Sequence, residues 1–545
     1  MNVKGVLQTT ASFLYVLCGL LTIGLIISCY FHLQNAAEKQ VSIAFLQTLG
    51  LTFISATCLR FYTRDANNSL QLREALLTVA VIWLLSIFFC ALPFTLSGAL
   101  EHLIDAWFET VSSLTTTGAS ILQAKNYDAA GIEIPIVRTF TSFQKIEYSF
   151  YGTVKPIIDP LSKKVLLTGV EAFPQALLFW RNLLSWIGGA GMVLLFVALL
   201  PALGDEAKKL FRYESTGPSF SPLFPKARQT AIVLFKIYVG LTLLCIACLL
   251  LTNHSLSFYE ALNIAFTTLS TAGFSSKNAS LASYSSFATE VVVMVFMVFG
   301  AINFSYYYEV FRGRLYKLFD AEFVVFIVLL FAFSLLVSLN IWGTKIASLT
   351  QGVETSCYTL ASSLRYGFFQ AISCMTTTGF ATANYDQWPF FSQGLMAISM
   401  FFGGMSGSTC AGLKIIRICI LWQCFLFAIR SVFKRNEIRI LKLQGREIDS
   451  ETAFGVLAFF LTMLAASIVG VLLLIFANVD LETAFGLNAS MINNSGASFR
   501  MAGPDESAAF LSPFSKAVCI SLMLLGRLEF YAWFTLLLPS FWKNR

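Results

Sequence analysis

The sequence predicts an all-α polytopic membrane protein, in which four repeats of helix, short pore helix and helix surround one pore after two leading transmembrane helices. The 545 residues are 57% hydrophobic and 12% charged, whereas a soluble domain is roughly 25% charged. Apolar segments recur along the chain, and most reach the roughly 20 residues that a spanning helix needs. A short polar motif that ends in glycine lies between such segments four times. Together these features predict a repeat-built membrane protein.

The predicted spans are taken in chain order. The first follows Lys4 and could be mistaken for a signal peptide. It is long, and no small-residue cleavage pattern follows it, so we interpret it as a retained helix. The predicted spans are residues 11–31, 41–59, 75–100, 173–203, 230–252, 291–308, 323–342, 395–429, 453–477 and 518–541.

The predicted orientation depends on where Lys and Arg collect, because cytoplasmic loops are enriched in these residues. Basic clusters lie at 60–73, 208–228, 312–317 and 430–446, which are on one side when the spans alternate. We therefore expect these loops and both termini to be cytoplasmic. The opposite segment 125–164 is also basic in part, but long segments translocate largely regardless of charge. The net charge of +7 thus reflects topology, and we expect no nucleic-acid partner.

Spans and polar motifs together predict the domain organisation. Each repeat has a spanning helix, a segment too short to cross, an extended stretch with glycine and a second spanning helix. The predicted units are 1–72 with the two leading helices, 73–212 with a long extracellular insertion at 121–172, 213–318, 319–448 and 449–545.

The polar motifs are the candidate site, and we call them the filter segments. A re-entrant helix followed by extended chain is permitted in a membrane only where protein or water covers its backbone. Four such strands can form a ring of carbonyl dipoles that replaces the water around a cation, and each pore helix would direct the negative end of its dipole there. The filter segments are Thr115, Thr116, Thr117 and Gly118; Ser270, Thr271, Ala272 and Gly273; Thr376, Thr377, Thr378 and Gly379; and Asn493, Asn494, Ser495 and Gly496.

Each position of a filter segment has an expected conformation. The apolar residue before each segment is expected to anchor the pore helix in the core. The first two polar positions are predicted to be extended, and the glycine is predicted to have a positive φ, which only glycine adopts without a penalty. The backbone carbonyls predicted to bind the cation belong to Thr116, Thr271, Thr377 and Asn494.

The segment 403–414 interrupts a predicted span with Gly, Ser and Thr, which disfavour helix. It could form a movable obstruction below the filter, or it could allow close helix packing through small residues. Arg527 lies in the last span and should face water or a partner, because an unpaired charge is costly there. For Arg181, Lys414 and Arg527 the alternative roles are a structural ion pair or snorkelling to the interface.

Enzyme chemistry is not expected. We find no HExxH, P-loop, GxSxG or dinucleotide motif, and the 3 scattered His residues do not form a usual metal site. Cys245 and Cys248 lie within one apolar helix, where packing is the expected role. A transporter of an organic solute remains an alternative from another class, for which charges near mid-membrane would be expected.

Several blocks besides the four filter segments carry a resemblance to a known family: residues 179–191, 214–218, 403–414 and 523–529. With them, nearly the whole chain resembles the Trk-type potassium uptake proteins, which share a superfamily with the Ktr membrane subunits and the plant and fungal high-affinity potassium transporters. The last of these blocks, the short cytoplasmic tail and the two leading helices resemble the TrkH branch.

The resemblance implies potassium uptake across a bacterial plasma membrane by a homodimer, with a cytosolic regulatory subunit of the TrkA type that binds the nucleotide. No organic cofactor is expected in this chain, and potassium is its substrate. A sodium-permeable or sodium-coupled relative remains the alternative, and Gly118 is the most informative position for selectivity, because a serine there accompanies sodium transport in plant relatives. The resemblance assigns gating to Gly403, Gly404, Gly407, Ser408, Gly412, Lys414 and Arg527.

Two features depart from the family pattern. The insertion at 121–172 is longer than expected and has no spanning pattern, and it could cover the mouth or bind a molecule outside. The fourth filter segment has Asn493 and Asn494 where the first and third have threonines, so the four-fold symmetry is approximate.

Overall fold

The structure of the chain is a computed structural model. This structure describes residues 2–542 except 36–37, 65–70, 129–130, 142–144, 160–164, 192–226, 315–319, 351, 434–441, 444–445 and 529. In this part of the chain, seven helices are long and apolar enough to cross a membrane, or eight if a bent pair forms one span. The prediction of a multi-pass, mostly helical membrane protein is therefore confirmed.

Two leading helices precede four sets that each contain a long helix, a short helix and a second, mostly broken helix. The leading helices are α1 (Val3–Gln34) and α2 (Lys39–Tyr62). The first set is α3 (Leu72–Leu96), α4 (Leu103–Leu114) and α5, described over residues 175–191. The second is α6 (Ala227–Thr252), α7 (Phe258–Leu269), α8 (Phe287–Ala301) and α9 (Phe304–Phe311). The third is α10 (Ala321–Ile341), α11 (Leu360–Met375), α12 (Phe390–Ser399) and α13 (Ile415–Phe433); the fourth is α14 (Ser450–Phe476), α15 (Leu481–Ile492), α16 (Pro513–Arg527), α17 (Tyr531–Leu537) and α18 (Pro539–Trp542).

The short helices α4, α7, α11 and α15 are the pore helices. Three contain 12 residues and α11 contains 16, so at 1.5 Å per residue each is shorter than the ~30 Å of membrane hydrocarbon. At the starts of three of them a side chain accepts a backbone hydrogen bond, which satisfies an amide group that the first turn leaves unpaired. These caps are Ser257 on α7, Thr359 on α11 and Asp480 on α15.

The predicted spans 291–308 and 518–541 are not single helices, and the 395–429 span is interrupted as the sequence indicated. The 291–308 segment bends by 96° between α8 and α9, where Ile302 is extended and the Asn303 side chain caps α9. The 395–429 segment is helical only on either side of residues 400–414. The 518–541 segment breaks after α16, where Phe530 has a φ of 53°. The 173–203 segment is helical over 175–191, and residues 192–203 lie outside the described residues.

Packing between sets arranges the pore helices around a centre. The second helix α8 of the second set packs against the pore helix α11 of the third, and α16 of the fourth set packs against α4 of the first. A buried ion pair between Lys516 on α16 and Asp105 on α4, with an N–O distance of 2.6 Å, fastens the last contact. The fourth set therefore meets the first, which closes the bundle.

The insertion at 121–172 contains antiparallel hairpins. These are β1 (Asn126–Tyr127) with β2 (Glu133–Ile134), β3 (Ile136–Thr141) with β4 (Lys145–Phe150), and β5 (Ile157–Ile158) with β6 (Val165–Leu167). The Tyr148 hydroxyl donates to Asp480 at 2.6 Å, and Arg138 pairs with Glu506 at 3.0 Å. The insertion thus lies on the fourth set. Two further hairpins are β7 (Lys345–Ser348) with β8 (Gly352–Cys357) and β9 (Lys442–Leu443) with β10 (Arg446–Glu447).

Candidate functional site

The four pore helices end in the same hydrogen-bonded motif. In the first, the Thr117 amide donates to the Ser112 carbonyl at 2.8 Å, and the Thr116 amide donates to Ser113 at 3.0 Å. The first of these is the i to i−5 bond of a Schellman cap. Its equivalents join Ala272 to Thr267, Thr378 to Ser373 and Ser495 to Ser490, at 2.8, 2.9 and 3.0 Å. Each filter segment therefore begins as a helix cap.

This cap corrects the predicted backbone. The first filter positions are close to helical, since Thr115 has φ −83° and ψ −1° and Ser270 has φ −78° and ψ −6°. The second positions are left-handed rather than extended. They are Thr116, Thr271, Thr377 and Asn494, with φ of 57°, 53°, 53° and 48°. A β-branched residue in this region is strained, and such strain often accompanies function.

The first side chain of each segment bonds back to its own helix and not toward the centre. The Thr115 and Thr376 hydroxyls donate to the carbonyls of Val111 and Ile372 at 2.7 and 2.8 Å. The matching bonds join Ser270 to Phe266 at 2.7 Å and Asn493 to Ala489 at 2.9 Å. A hydroxyl and an amide make the same bond, which explains why the fourth segment accepts asparagine.

The filter glycines form a closed ring of contacts. All four have the predicted positive φ, at 83°, 69°, 85° and 67° in chain order. A methyl group on Gly118 would lie 1.9 Å from the Ala272 carbonyl oxygen, and one on Gly273 would lie 1.8 Å from that of Thr378. In the same way, a methyl group on Gly379 would lie 2.4 Å from the Ser495 carbonyl oxygen, and one on Gly496 would lie 2.3 Å from the Thr117 carbonyl oxygen. Each repeat therefore contacts the next, and the fourth contacts the first.

The carbonyls in this ring belong to the third filter positions. We predicted ion binding by the second-position carbonyls, and that assignment stays a prediction. All polar residues of the four segments are buried. The backbone that could coordinate a cation is thus enclosed by protein, as irregular backbone within a membrane must be.

Sequence reasoning missed a row of hydroxyls behind the filter. Ser112 donates to the carbonyl of Ala119 at 2.6 Å, Thr267 to Phe274 at 2.9 Å and Ser373 to Phe380 at 2.7 Å. Each donor lies six residues before a filter glycine, so its hydroxyl holds the chain just after that glycine. The recurrence of a hydroxyl six residues before each glycine was the available signal, and Ser490 shares it.

Three glycines on the second helices were also not assigned a role. A methyl group on Gly188, Gly300 or Gly526 would lie 2.2, 3.0 or 2.1 Å from the carbonyl oxygen of the last pore-helix residue, which is Leu114, Leu269 or Ile492. The absence of a side chain lets these helices support the pore-helix ends closely. The three apolar residues are buried, as predicted for anchors, and so is Met375.

The 403–414 segment is irregular, as predicted, and lies against two filter segments. The Thr409 hydroxyl donates to the carbonyls of Leu269 and Gly300, both at 3.0 Å. The Cys410 thiol contacts the Thr376 carbonyl oxygen at 2.9 Å, and the Ala411 amide donates to the Thr377 hydroxyl at 3.3 Å. The segment therefore contacts the second and third repeats directly.

Tight backbone packing holds the 403–414 segment in place. Gly407 and Gly412 have positive φ values of 74° and 73°. A methyl group on Gly403 would lie 2.1 Å from the Ala411 oxygen, and one on Gly404 would lie 2.7 Å from the Ala301 oxygen. The Lys414 ammonium donates to the carbonyl of Cys410 and, at 3.4 Å, to the Ser408 hydroxyl. The geometry therefore requires glycine at these four positions.

Arg527 joins the 403–414 segment to the first repeat. Its guanidinium donates to the Thr116 hydroxyl at 3.2 Å, the Thr409 carbonyl at 3.0 Å and the Gly188 carbonyl at 2.6 Å. The side chain is 3% exposed. The guanidinium of Arg527 thus has the hydrogen-bond partners that a buried charge needs. It contacts both the first filter segment and the 403–414 segment.

Comparison with known proteins agrees with this architecture. Residues 162–543 match the TrkH family, described as cation transport proteins. The chain belongs to the TrkH family. It is 29% identical over 505 residues to the Trk system potassium uptake protein TrkH of Escherichia coli K12, with 92% of each chain covered. It is 27% identical over 515 residues to TrkG of the same organism, with 93% of each covered.

A solved structure has the same fold. The crystal structure of the potassium transporter TrkH from Vibrio parahaemolyticus matches with a TM-score of 0.78 and 25% identity over 100% of both chains. The predicted family resemblance is therefore confirmed.

Arg181 supports the filter of this TrkH-family chain. Its guanidinium pairs with Glu109 at 3.0 Å, and the two side chains are 1% and 0% exposed. It also donates to the Ser275 carbonyl at 2.7 Å and lies 4.4 Å from the centre of the Phe274 ring. Glu109, which sequence reasoning missed, accepts from the Ile121 amide at 3.1 Å. This ion pair thus connects two stretches of chain, the one that follows Gly118 and the one that follows Gly273.

Several predictions for the TrkH-family chain concern residues outside the described part. These are residues 192–203 of the 173–203 span, the matching block 214–218, most of the basic cluster 208–228 and residue 529 of the matching block 523–529.

Proposed function

We propose that this TrkH-family chain takes up potassium ions through its four filter segments. The closed ring of glycine and carbonyl contacts supports this proposal most strongly. Backbone carbonyls can replace the hydration shell of potassium, and the ring contains one oxygen from each repeat: Thr117, Ala272, Thr378 and Ser495. Relatives that match 92% of the chain are named potassium uptake proteins. The units bounded at residues 73, 213, 319 and 449 would each contribute one quarter of the pore.

The proposed setting follows the family. We place the chain in the bacterial plasma (inner) membrane with both termini cytoplasmic, because its basic clusters lie in every second loop and therefore on one side of the membrane. We also propose a homodimer regulated by a cytosolic subunit of the TrkA type. That subunit would bind the regulatory nucleotide, and potassium would be the substrate of this chain without an organic cofactor.

Ion competition tests the proposed substrate. We expect purified chain in proteoliposomes to transport K⁺ and Rb⁺ well above Na⁺, because the glycine-built ring is suited to a dehydrated potassium ion. Tracer uptake of each ion at equal membrane potential measures this preference. Na⁺ uptake equal to or above K⁺ uptake would favour the sodium-permeable alternative, and uptake of a neutral or organic solute instead would indicate the secondary-transporter class.

We further propose that the 403–414 segment and Arg527 form the gate. Arg527→Met removes the donor shared by Thr116, Thr409 and Gly188. Basal K⁺ uptake should then rise about tenfold, which corresponds to losing ~1.4 kcal/mol from the closed state. Arg430→Met at the exposed end of α13 is the matched control and should leave uptake unchanged. Unchanged or lower uptake in a well-folded Arg527→Met protein would refute the gating role.

A further inference from the structure

A cavity of about 330 Å³ lies between α14, α15 and the residues that precede the 403–414 segment. Met463, Ser467 and Val471 line it from α14, Phe485 lines it from α15, and Phe401 lines it beside the segment. The Phe401 carbonyl accepts a hydrogen bond from the Leu413 amide at 3.3 Å. The cavity therefore reaches the base of the proposed gate.

The lining selects an apolar occupant. Every described lining side chain is apolar except Ser467, and the Ser467 hydroxyl already accepts a hydrogen bond from the Asn488 side chain. A polar ligand would lose its bonds to water here and gain almost none in return, which costs several kcal/mol per polar group. A hydrocarbon chain makes no hydrogen bonds to water, so it has none to lose on entering the cavity.

The cavity opens toward the lipid side of α14. Its lining on this helix runs from Phe460 to Leu472, which is roughly 18 Å along the axis at 1.5 Å per residue. It begins just before the middle of α14 and extends toward the end of this helix that leads into α15, and one leaflet contributes about 15 Å of hydrocarbon. Leu464, Ile468 and Leu472 on its rim are 49%, 54% and 60% exposed. Its length is thus close to that of one leaflet.

We propose that the cavity is a binding site for one acyl chain of a bilayer phospholipid, which contacts Phe401 at the base of the 403–414 segment. A second copy of the chain is a poorer occupant, because its helices are about 10 to 12 Å wide and would cover the opening of the cavity without filling it. An acyl chain is thin enough to enter and is present at every lipid-facing surface. The proposal does not depend on which cation the pore conducts.

Photolabelling of the full chain in proteoliposomes tests the site. The probe is a phosphatidylethanolamine with a diazirine in the middle of one acyl chain, and mass spectrometry locates the labelled residues. We expect labelling at Phe401 and at Met463, which is only 6% exposed and is reached through the cavity. Ile468→Trp should place an indole in the opening and reduce both labels about tenfold, equivalent to ~1.4 kcal/mol of lost affinity.

Val469→Trp is the matched control. Val469 and Ile468 are both 54% exposed, but Val469 does not line the cavity, so this variant should keep both labels. Equal labelling in the two variants, or label on Leu461 without any on Met463 and Phe401, would overturn the proposal. A photoreactive side chain at position 468 that crosslinks to a second protein chain rather than to lipid would also overturn it.

Discussion

Gly273→Ala is expected to abolish most potassium uptake. The new methyl group would lie 1.8 Å from the Thr378 carbonyl oxygen and 2.8 Å from its carbon, and both are backbone atoms that cannot rotate away. The φ of 69° adds a penalty of about 1 to 2 kcal/mol for any residue with a Cβ. If displacing the ring costs about 3 kcal/mol in the conducting state, uptake falls roughly 100-fold. Tracer K⁺ uptake in proteoliposomes measures this loss.

Two further variants make this test specific. Gly240→Ala on α6 is the control, because a methyl group there meets no atom within 4 Å, and its uptake should equal that of the unaltered chain. Gly118→Ser perturbs the Ala272 oxygen and should lower the ratio of K⁺ to Na⁺ uptake. Unaltered potassium uptake in Gly273→Ala would show that the glycine ring does not line the ion path.

The sequence was sufficient to predict the filter glycines because their signal is local and repeated. Four glycines follow four similar triplets, and the conformation that they share is one that side chains penalise. The left-handed threonines could not be predicted in this way. Thr116 and its equivalents are strained residues, held by a Schellman cap whose bonds depend on how each pore helix ends.

The breaks in the second helices had weaker signals. The bend between α8 and α9 occurs in a continuous apolar run, and the local cue is a single residue, Asn303, whose side chain caps the second half. The break before α17 contains Phe530 at a positive φ, which no pattern of hydrophobicity indicates. Hydropathy measures whether a segment can lie in a membrane, and it does not report whether the segment remains straight.

The Glu109 carboxylate shows what single-sequence reasoning cannot find. One acidic residue in a short amphipathic helix looks like part of its polar face, yet Glu109 is fully buried. Its partner Arg181 is 72 residues away in the sequence. Only the packing of α4 against the second helix of its repeat brings the two charges together, so their role depends on tertiary structure.

Glu109→Gln should therefore cause the largest loss of stability among single charge removals in the described filter region. It leaves the Arg181 guanidinium buried without an ionised partner, and breaking such a pair typically costs about 3 to 5 kcal/mol. The temperature at which the purified protein loses its monodisperse state measures the loss. Glu101→Gln is the control: Glu101 is half exposed, and its buried partner Lys125 keeps a second carboxylate, Glu133, at 3.2 Å. The loss of stability should therefore be that of an exposed pair, about 0 to 1 kcal/mol.

The double variant Glu109→Gln with Arg181→Met separates the ion pair from the packing of either residue. If the cost of Glu109→Gln is an uncompensated buried cation, removing that cation as well should restore part of the lost thermal stability. The Ser275 carbonyl and the Ile121 amide would still lose their charged partners, so we expect the double variant to be less selective for K⁺ than the unaltered chain even where its thermal stability recovers. A double variant less stable than either single variant would contradict this account, because it would mean that the two side chains stabilise the protein independently.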